Sequence, residues 1–129
     1  MSTWTDNELN KIGNAEELQI ASLRQDGTSR KPRIIWVVRL GNDIYVRSVN
    51  GRTSDWFRGV QTRHEGHIRA GGVDKDVTFV EEADPDINNQ IDAAYRTMYR
   101  GYAASIISHI VSPEARSATI KLVPRSTSS

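Results

Sequence analysis

Short runs in which apolar and polar residues alternate dominate the chain, a pattern typical of strands buried on one face. Such runs cover residues 17–23, 33–40, 44–49, 66–70, 76–81 and 118–123. Gly41-Asn42-Asp43 and Gly71-Gly72 separate neighbouring runs, so the pattern predicts antiparallel hairpins.

The run 33–40 is rich in β-branched and aromatic residues and is predicted to be a central strand. One of its faces is entirely apolar, and we expect that face to line the interior of the sheet; its residues are Ile34, Trp36, Val38 and Leu40. Trp36 is then either packed core or a residue at the mouth of the barrel whose ring contacts a ligand. The next strand alternates in the same way, with Ile44, Val46 and Ser48 on one face and Tyr45, Arg47 and Val49 on the other.

Three segments have helical signals instead. Thr5 and Glu8 have the spacing of a capping box, which predicts a helix ending near Gly13. Thr53 or Ser54 is expected to cap a short helix that ends near His64. Asp84-Pro85 begins a long helix, bent at Gly101 and stopped by Pro113, whose buried stripe is Ile87, Ile91, Ala94, Tyr95, Met98, Tyr102 and Ile106.

Because the strands follow one another without the alternation of a parallel sheet, the sequence predicts an α+β fold in which a mainly antiparallel barrel carries its helices outside. We expect a single domain over residues 1–125 and a disordered polar tail over 126–129.

Composition excludes several classes of function. The chain has 129 residues, no cysteine, and 17 Lys+Arg against 16 Asp+Glu. Without cysteine there is no thiolate catalysis, disulfide or Cys-based metal site. A net charge of +1 argues against a nucleic-acid partner, and no segment has the apolar length of a membrane span. We therefore expect a cytoplasmic protein.

The basic run before the central strand is the strongest candidate for a binding site. If residues 33–49 form a hairpin, Lys31 and Arg33 lie at its open end, close to Ser48 and Asn50. Guanidinium, ammonium, hydroxyl and amide donors together suit a phosphate. The alternative is a solvated basic loop without a ligand. Arg47 faces either a binding groove or solvent, and the tyrosines of the long helix are expected in the core.

The segment His64-Glu65-Gly66-His67 suggests two kinds of chemistry. Together with His109 it supplies three imidazoles, but the spacing directs them to no common point, so we expect no metal. His64 and Glu65 also form a candidate acid–base pair.

The order of these motifs resembles the flavin-reductase-like split β-barrel proteins, and among them the deazaflavin-dependent nitroreductase-like group. The resemblance rests on Gly27-x-Ser29 before the basic Pro32-Arg33 segment, on Trp36 in the next strand, and on Tyr45-x-x-Ser48, Asn50-Gly51 and Trp56-Phe57-Arg58. From Trp4 to Arg125, including His64-Glu65-Gly66 and Ser112-Pro113-Glu114-Ala115-Arg116, the chain is similar to the bacterial domain-of-unknown-function 2255 family.

The resemblance implies a split barrel, often dimeric, with FMN or a deazaflavin in a groove. Carried over by position, the cofactor-binding residues would be Lys31, Arg33, Trp36, Val37, Ser48, Asn50, Gly51 and Arg52. Arg58 and Arg30 stand where the nitroreductase-like group commonly has Asn and Gly.

Two functions remain open. The first is a flavin- or deazaflavin-binding oxidoreductase that acts on a small planar organic substrate as a homodimer. The second is a cofactor-free barrel that binds a small organic molecule, as an isomerase or cyclase with Arg47, Arg58, His64 and Glu65 as candidate catalytic groups.

Overall fold

The computed structural model describes residues 3–125, which form a closed six-stranded antiparallel barrel with five helices outside it. The strands are β1 Glu17–Ser22, β2 Arg33–Leu40, β3 Asp43–Arg47, β4 Glu65–Ala70, β5 Val73–Glu81 and β6 Thr119–Pro124. The helices are α1 Asp6–Gly13, α2 Asp55–Thr62, α3 Pro85–Met98, α4 Ala104–Ile110 and α5 Pro113–Arg116. The predicted fold class is confirmed; the predicted tail, 126–129, lies outside the described residues.

Antiparallel pairing closes the barrel in the order β1-β2-β3-β6-β5-β4. The predicted hairpins β2–β3 and β4–β5 are present, and β1 pairs with β4 to complete the circle. Closure leaves no unpaired edge, which removes the aggregation hazard of an open sheet. The β2–β3 register pairs Leu40 with Asp43, so the start of β2 and the end of β3 lie at the same end of the barrel.

The predicted capping box starts α1. Thr5 Oγ1 accepts from the Glu8 amide at 3.1 Å, and the Thr5 amide donates to Glu8 Oε1 at 2.9 Å. These bonds satisfy orphan donors of the first turn. Leu9 and Ile12 are buried in the same core cluster as the inward side chains of the barrel.

The prediction for the faces of β2 is wrong. Ile35 and Val37 belong to the core inside the barrel, whereas Trp36 and Val38 face outward and pack beneath α3. Both faces of this strand are covered, so apolar residues occur on both. The indole of Trp36 packs against Tyr99 on the outer face, while Ile35 and Val37 pack with the inward side chains of the other strands.

The predicted long helix is two helices. Helix α3 ends at Met98, and α4 begins only at Ala104. The helix is therefore interrupted around Gly101, where the sequence predicts only a bend. The break keeps Tyr99 in the core and leaves Tyr102 and Ile106, expected in the buried stripe, 40% and 46% exposed. The Tyr99 hydroxyl accepts from the Val37 amide of β2 at 3.0 Å and donates to the Glu16 carbonyl just before β1 at 2.7 Å. These bonds attach the segment after α3 to the barrel wall.

Two boundaries also differ from the predictions. Strand β3 ends at Arg47, because Ser48 and Gly51 enter a turn in which the Gly51 amide donates to the Ser48 carbonyl at 3.0 Å. Helix α2 ends at Thr62, before His64. Among residues 3–125, no helix has the length and apolar character needed to cross a membrane.

Candidate functional site

One groove follows the start of β2 and the end of β3, and it consists of three adjoining cavities. The first and second cavities share Arg33, Asp55 and Trp56, and the second and third share Ile34, Ile35 and Val49. We name them the cation cavity, the hydroxyl cavity and the apolar cavity. Their volumes are about 170, 510 and 280 Å³.

The cation cavity lies between the end of β1, the start of β2 and helix α2. Its lining is Ile20, Ser22, Arg24, Arg30, Lys31, Arg33, Asp55 and Trp56. The four cations face a single carboxylate, that of Asp55, which is 3.8 Å from Arg33 and largely exposed. This end of the groove therefore has a strongly positive potential.

Local structure brings these cations together. The turn after β1 is held by Asp26, which accepts from both the amide and the hydroxyl of Thr28. The Arg30 amide then donates to the Ser22 carbonyl at 2.9 Å. This pairing turns the chain back on itself, and the side chains of Arg24 and Arg30 both line the cation cavity. Gly59 of α2 allows Arg30 to lie against the helix, since a Cβ at that position would be 2.9 Å from Arg30 Nε.

The hydroxyl cavity contains the turn that follows β3. Its lining includes Arg33, Ser48, Asn50, Thr53 and Ser54. The hydroxyls of Ser48 and Ser54 are 2.6 Å apart, so the expected cap Ser54 bonds to Ser48 and makes no side-chain cap on α2. The predicted proximity of Arg33 to Ser48 and Asn50 is thus present in the structure.

The apolar cavity is formed by Trp36 with aliphatic side chains of β2 and α4. Ile34, 62% exposed, and Ile106, 46% exposed, stand at its rim, and Ile110 lies deeper. Trp36 stacks on Tyr99 with ring centres 4.0 Å apart and planes 7° from parallel. Burial raises the pKa of Tyr99, so its hydroxyl stays protonated and bonded to the backbone.

Of the two alternatives left by the sequence, solvent is excluded, because Arg47 is fully buried beneath α3 and α4; its side chain lines the floor of the apolar cavity, on the groove side. Its guanidinium bonds to Asp92, to the Ile110 carbonyl at 3.2 Å, to Asn88 at 2.9 and 3.0 Å and to Thr119 at 2.9 Å. Burial lowers the pKa of Arg47, and the bond to Asp92 opposes that shift. We call this group, with Arg116 on the second oxygen of Asp92, the Arg47 cluster.

Three residues expected to contact a cofactor do not line the groove. Arg52 donates to Glu81 and to the Ser117 carbonyl, both at 2.8 Å, and lies over the Phe57 ring. The Val37 side chain is enclosed in the barrel, so it does not lie beneath a surface-bound ring. Gly51 has φ +73° in the turn after β3, where a Cβ would be 2.5 Å from Glu114.

The candidate catalytic groups do not meet in one cavity. Glu65 is paired with Arg63 and Arg125, each at 2.9 Å, and the bond from Arg63 holds its pKa below 4.5. His64 lies exposed after α2, and Arg58 is exposed on that helix. Arg47 is buried in its own cluster, so the acid–base arrangement expected for the cofactor-free alternative is not assembled.

The histidines considered as metal ligands have other surroundings. The His67 ring contacts Asp74 and Asp76 across the β4–β5 hairpin, and His109 is exposed on α4. Within the described range 3–125, no three His, Asp or Glu side chains are grouped so that they could hold one metal ion.

The sequence analysis did not identify Arg24 and Arg30 as site residues. Arg24 follows β1 and Arg30 precedes β2, and only the turn between them brings both to the groove. The basic run Arg30-Lys31 is evident in the sequence. No local pattern indicates that Arg24, six residues before Arg30, lies beside it in the fold.

Comparisons with known proteins agree with this architecture. The model of a family described as an uncharacterized protein conserved in bacteria (DUF2255) matches residues 8–122. No curated protein matches the chain.

Solved structures of similar fold are distant in sequence. The heme storage protein HutZ from Vibrio cholerae has a TM-score of 0.63 at 13% identity, with 94% of this chain and 90% of that chain covered. An F420 reductase has a TM-score of 0.59 at 14% identity, with 97% of each chain covered. An FAD-binding protein from Mesorhizobium loti has a TM-score of 0.58 at 14% identity, with 96% of this chain and 92% of that chain covered. The shared fold is the split β-barrel.

Proposed function

The chain belongs to the bacterial DUF2255 family and has the split β-barrel fold. From the lining of the groove, we propose that the protein is an oxidoreductase that binds a phosphorylated flavin or deazaflavin. The observation that carries the proposal is the division of one continuous groove into a cationic end, a hydroxyl-lined middle and an apolar end. A cofactor with a planar ring and an anionic tail has the same sequence of chemistry.

The residues present fit such a group. Arg33 supplies a bidentate donor for phosphate, and Ser48, Asn50 and Ser54 supply neutral donors beside it. Trp36 and Ile34 offer apolar surface to a ring system. The hydroxyl and apolar cavities, about 510 and 280 Å³, are comparable with small-molecule sites of about 300–1,000 Å³.

Two of the structural neighbours support the same class of ligand. One is an F420 reductase and another an FAD-binding protein. When bound, a flavin or deazaflavin supplies hydride transfer, while the protein supplies binding and orientation. In this chain the cations and hydroxyls would hold the tail, and the Trp36 side would fix the ring and exclude water from it.

Titration with FMN and with a phosphorylated deazaflavin tests the proposal. We expect quenching of ligand or tryptophan fluorescence in the wild type, and a loss of about 1.5–3 kcal/mol of binding free energy in Arg33→Ala. Arg96→Ala is the matched control. Arg96 is exposed on α3, so this substitution removes the same charge at a position outside the groove. Absence of binding by both cofactors, or equal affinity of the two variants, would refute the proposal.

We also propose that the protein is a homodimer. Phe57 is fully buried, whereas Ile34, Val49 and Ile106 expose apolar surface at the apolar cavity. A second copy over that surface would cover the outer face of a bound ring. Sedimentation at micromolar concentration should show a dimer; a monomer alone would contradict this.

Cytoplasmic location stays a prediction of the sequence.

A further inference from the structure

Trp36 has two tyrosine neighbours, which the interruption between α3 and α4 brings to it. Tyr99 stacks on the indole with ring centres 4.0 Å apart, and Tyr102 meets the indole at 4.9 Å and 61°. The two phenol rings are 5.8 Å apart. Rings at these separations are in contact, so an electron can pass directly from one to the next. The three rings connect the apolar cavity, which Trp36 lines, to the protein surface at the exposed Tyr102.

The tyrosines of this region differ in the group that can accept their hydroxyl proton. The Tyr102 hydroxyl donates to Glu16 Oε2 at 2.9 Å, and both side chains are exposed. The Tyr99 hydroxyl donates to backbone carbonyls, which accept a hydrogen bond but do not take up a proton at neutral pH. The Tyr95 hydroxyl is buried and has no hydrogen-bond partner among residues 3–125. Of these three tyrosines, Tyr102 is therefore the one whose hydroxyl contacts a base.

That contact decides which phenol can be oxidised. Loss of an electron makes a phenol strongly acidic, because the positive charge of the radical cation weakens its O–H bond. Tyrosine is therefore oxidised readily where a base receives the proton as the electron leaves, and a carboxylate in hydrogen-bond contact is such a base. The hydrogen bond to Glu16 raises the pKa of Tyr102, so the phenol keeps its proton at neutral pH until it is oxidised.

We propose that Trp36, Tyr102 and Glu16 form a one-electron relay that carries oxidising equivalents from the apolar cavity to the protein surface. A one-electron oxidant in the cavity, of the class of aromatic radicals or photoexcited aromatic ligands, takes an electron from the Trp36 indole. Tyr102 then returns one electron to the indole and transfers its phenolic proton to the Glu16 carboxylate.

The products of the relay are the reduced oxidant, an intact indole, a neutral tyrosyl radical at Tyr102 and a protonated Glu16. Glu16 releases its proton to solvent, and a soluble thiol restores Tyr102 by giving up a hydrogen atom and becoming a thiyl radical. The relay goes beyond the proposed function and does not depend on it, because the transfer from Tyr102 to Trp36 involves no cofactor.

Pulse radiolysis of the ligand-free protein tests the relay, with the azide radical as a one-electron oxidant that is selective for indoles. In the wild type we expect tryptophanyl absorbance to decay as tyrosyl absorbance grows, at a rate that does not depend on protein concentration. Tyr102→Phe should abolish the tyrosyl growth and leave a longer-lived tryptophanyl radical. Because Tyr102 is exposed, this variant should fold as the wild type does, which urea unfolding checks.

Two matched pairs of variants identify the members of the relay. Trp36→Phe should abolish the tyrosyl growth, whereas Trp56→Phe should preserve it, because Trp56 is also half-buried but packs against Phe57. Glu16→Gln should slow the growth at least about tenfold, since it removes the base. Glu17→Gln removes the same charge from the next residue, which is also exposed, and should keep the wild-type rate because Tyr102 donates to Glu16.

Three results would overturn the relay: no tyrosyl growth in the wild type, tyrosyl growth that survives Tyr102→Phe, or equal rates in Glu16→Gln and Glu17→Gln. A rate that rises with protein concentration would overturn it as well, because the electron would then pass between molecules. Binding of FMN or a deazaflavin is measured separately, by the titration described above. The relay and the proposed function can therefore fail independently of each other.

Discussion

Two groups of arginines in this protein have opposite surroundings. In the Arg47 cluster the guanidinium is fully buried and its donors meet Asp92, Asn88, Thr119 and the Ile110 carbonyl. In the cation cavity the guanidiniums are partly exposed, close to other cations, and Arg30 keeps a buried donor without an acceptor among the described residues.

The difference separates a charge that serves the fold from charges that are left available to the ligand we propose. A buried cation persists only when paired and hydrogen-bonded, and Arg47 meets that condition by joining β3 to α3, to α4 and to β6. The cation cavity contributes no such connection. Substitution should therefore affect stability in the first region and affinity in the second. The Arg33→Ala titration tests the second region, and four further measurements test the first region and its boundary with the groove.

The largest effect is expected for Asp92→Ala, which leaves Arg47 buried without its counter-charge. We expect a loss of about 3–5 kcal/mol in the free energy of unfolding, measured in urea. Asp86→Ala, an exposed acid in the first turn of α3, should cost no more than about 1 kcal/mol. A loss in Asp92→Ala as small as that of the control would show that the cluster is not what holds α3.

Alkaline pH tests the tyrosines that surround the Arg47 cluster. Burial raises the pKa of Tyr45 from 10.0 to about 12, and it raises those of Tyr95 and Tyr99 as well. Groups with raised folded-state pKa values stabilise the fold below pH 10, where both states are protonated, and that stabilisation is lost as pH rises from 10 through 12.

For Tyr45 alone the loss is on the order of 2–3 kcal/mol. Tyrosinate absorbance should therefore rise together with unfolding, seen by circular dichroism, while cofactor affinity below pH 9 stays constant. Tyr102 is 40% exposed and can ionise in the folded protein, so formation of more than one tyrosinate per chain well before any loss of structure would contradict the burial of these hydroxyls.

Trp36 combines a structural contact with a position in the groove, since it stacks on Tyr99 and also lines the apolar cavity. In Trp36→Phe we expect a stability loss within about 1.5 kcal/mol and a weakening of ring binding by about 0.5–1.5 kcal/mol. Trp4→Phe is the control, because Trp4 is buried and donates to the Leu122 carbonyl at 3.0 Å, outside the groove. That variant should lose stability without losing affinity; the same behaviour in Trp36→Phe would make Trp36 a packing residue only.

The smallest effect is expected for Arg52→Ala. Its ion pair with Glu81 is half exposed, so its loss should cost no more than about 1 kcal/mol. Cofactor affinity should not change, because Arg52 is directed to Glu81 and Ser117 and not into the groove. A tenfold fall in affinity would restore the role that the family resemblance implied for this residue.

Sequence pattern was sufficient for the strands, for the first two helices and for part of the site. The capping box of α1, the strands and the two glycine-turn hairpins follow from local chemistry, since each depends on residues a few positions apart. The open end of the β2–β3 hairpin likewise had to bring Arg33 near Ser48, because antiparallel partners begin and end together.

Tertiary structure alone decided which face of each strand lies inside. Alternation distinguishes two faces, but both faces of β2 carry apolar residues, and only the closure of the barrel and the covering α3 assign Val37 to the interior and Trp36 to the outside. The burial of Arg47 follows from the same covering helices, as does the separation of α3 from α4. The cation cavity depends on a turn that joins Arg24 to Arg30 and on a glycine in α2 that makes room for it. Those contacts join residues distant in sequence, and so no local pattern of the chain contains them.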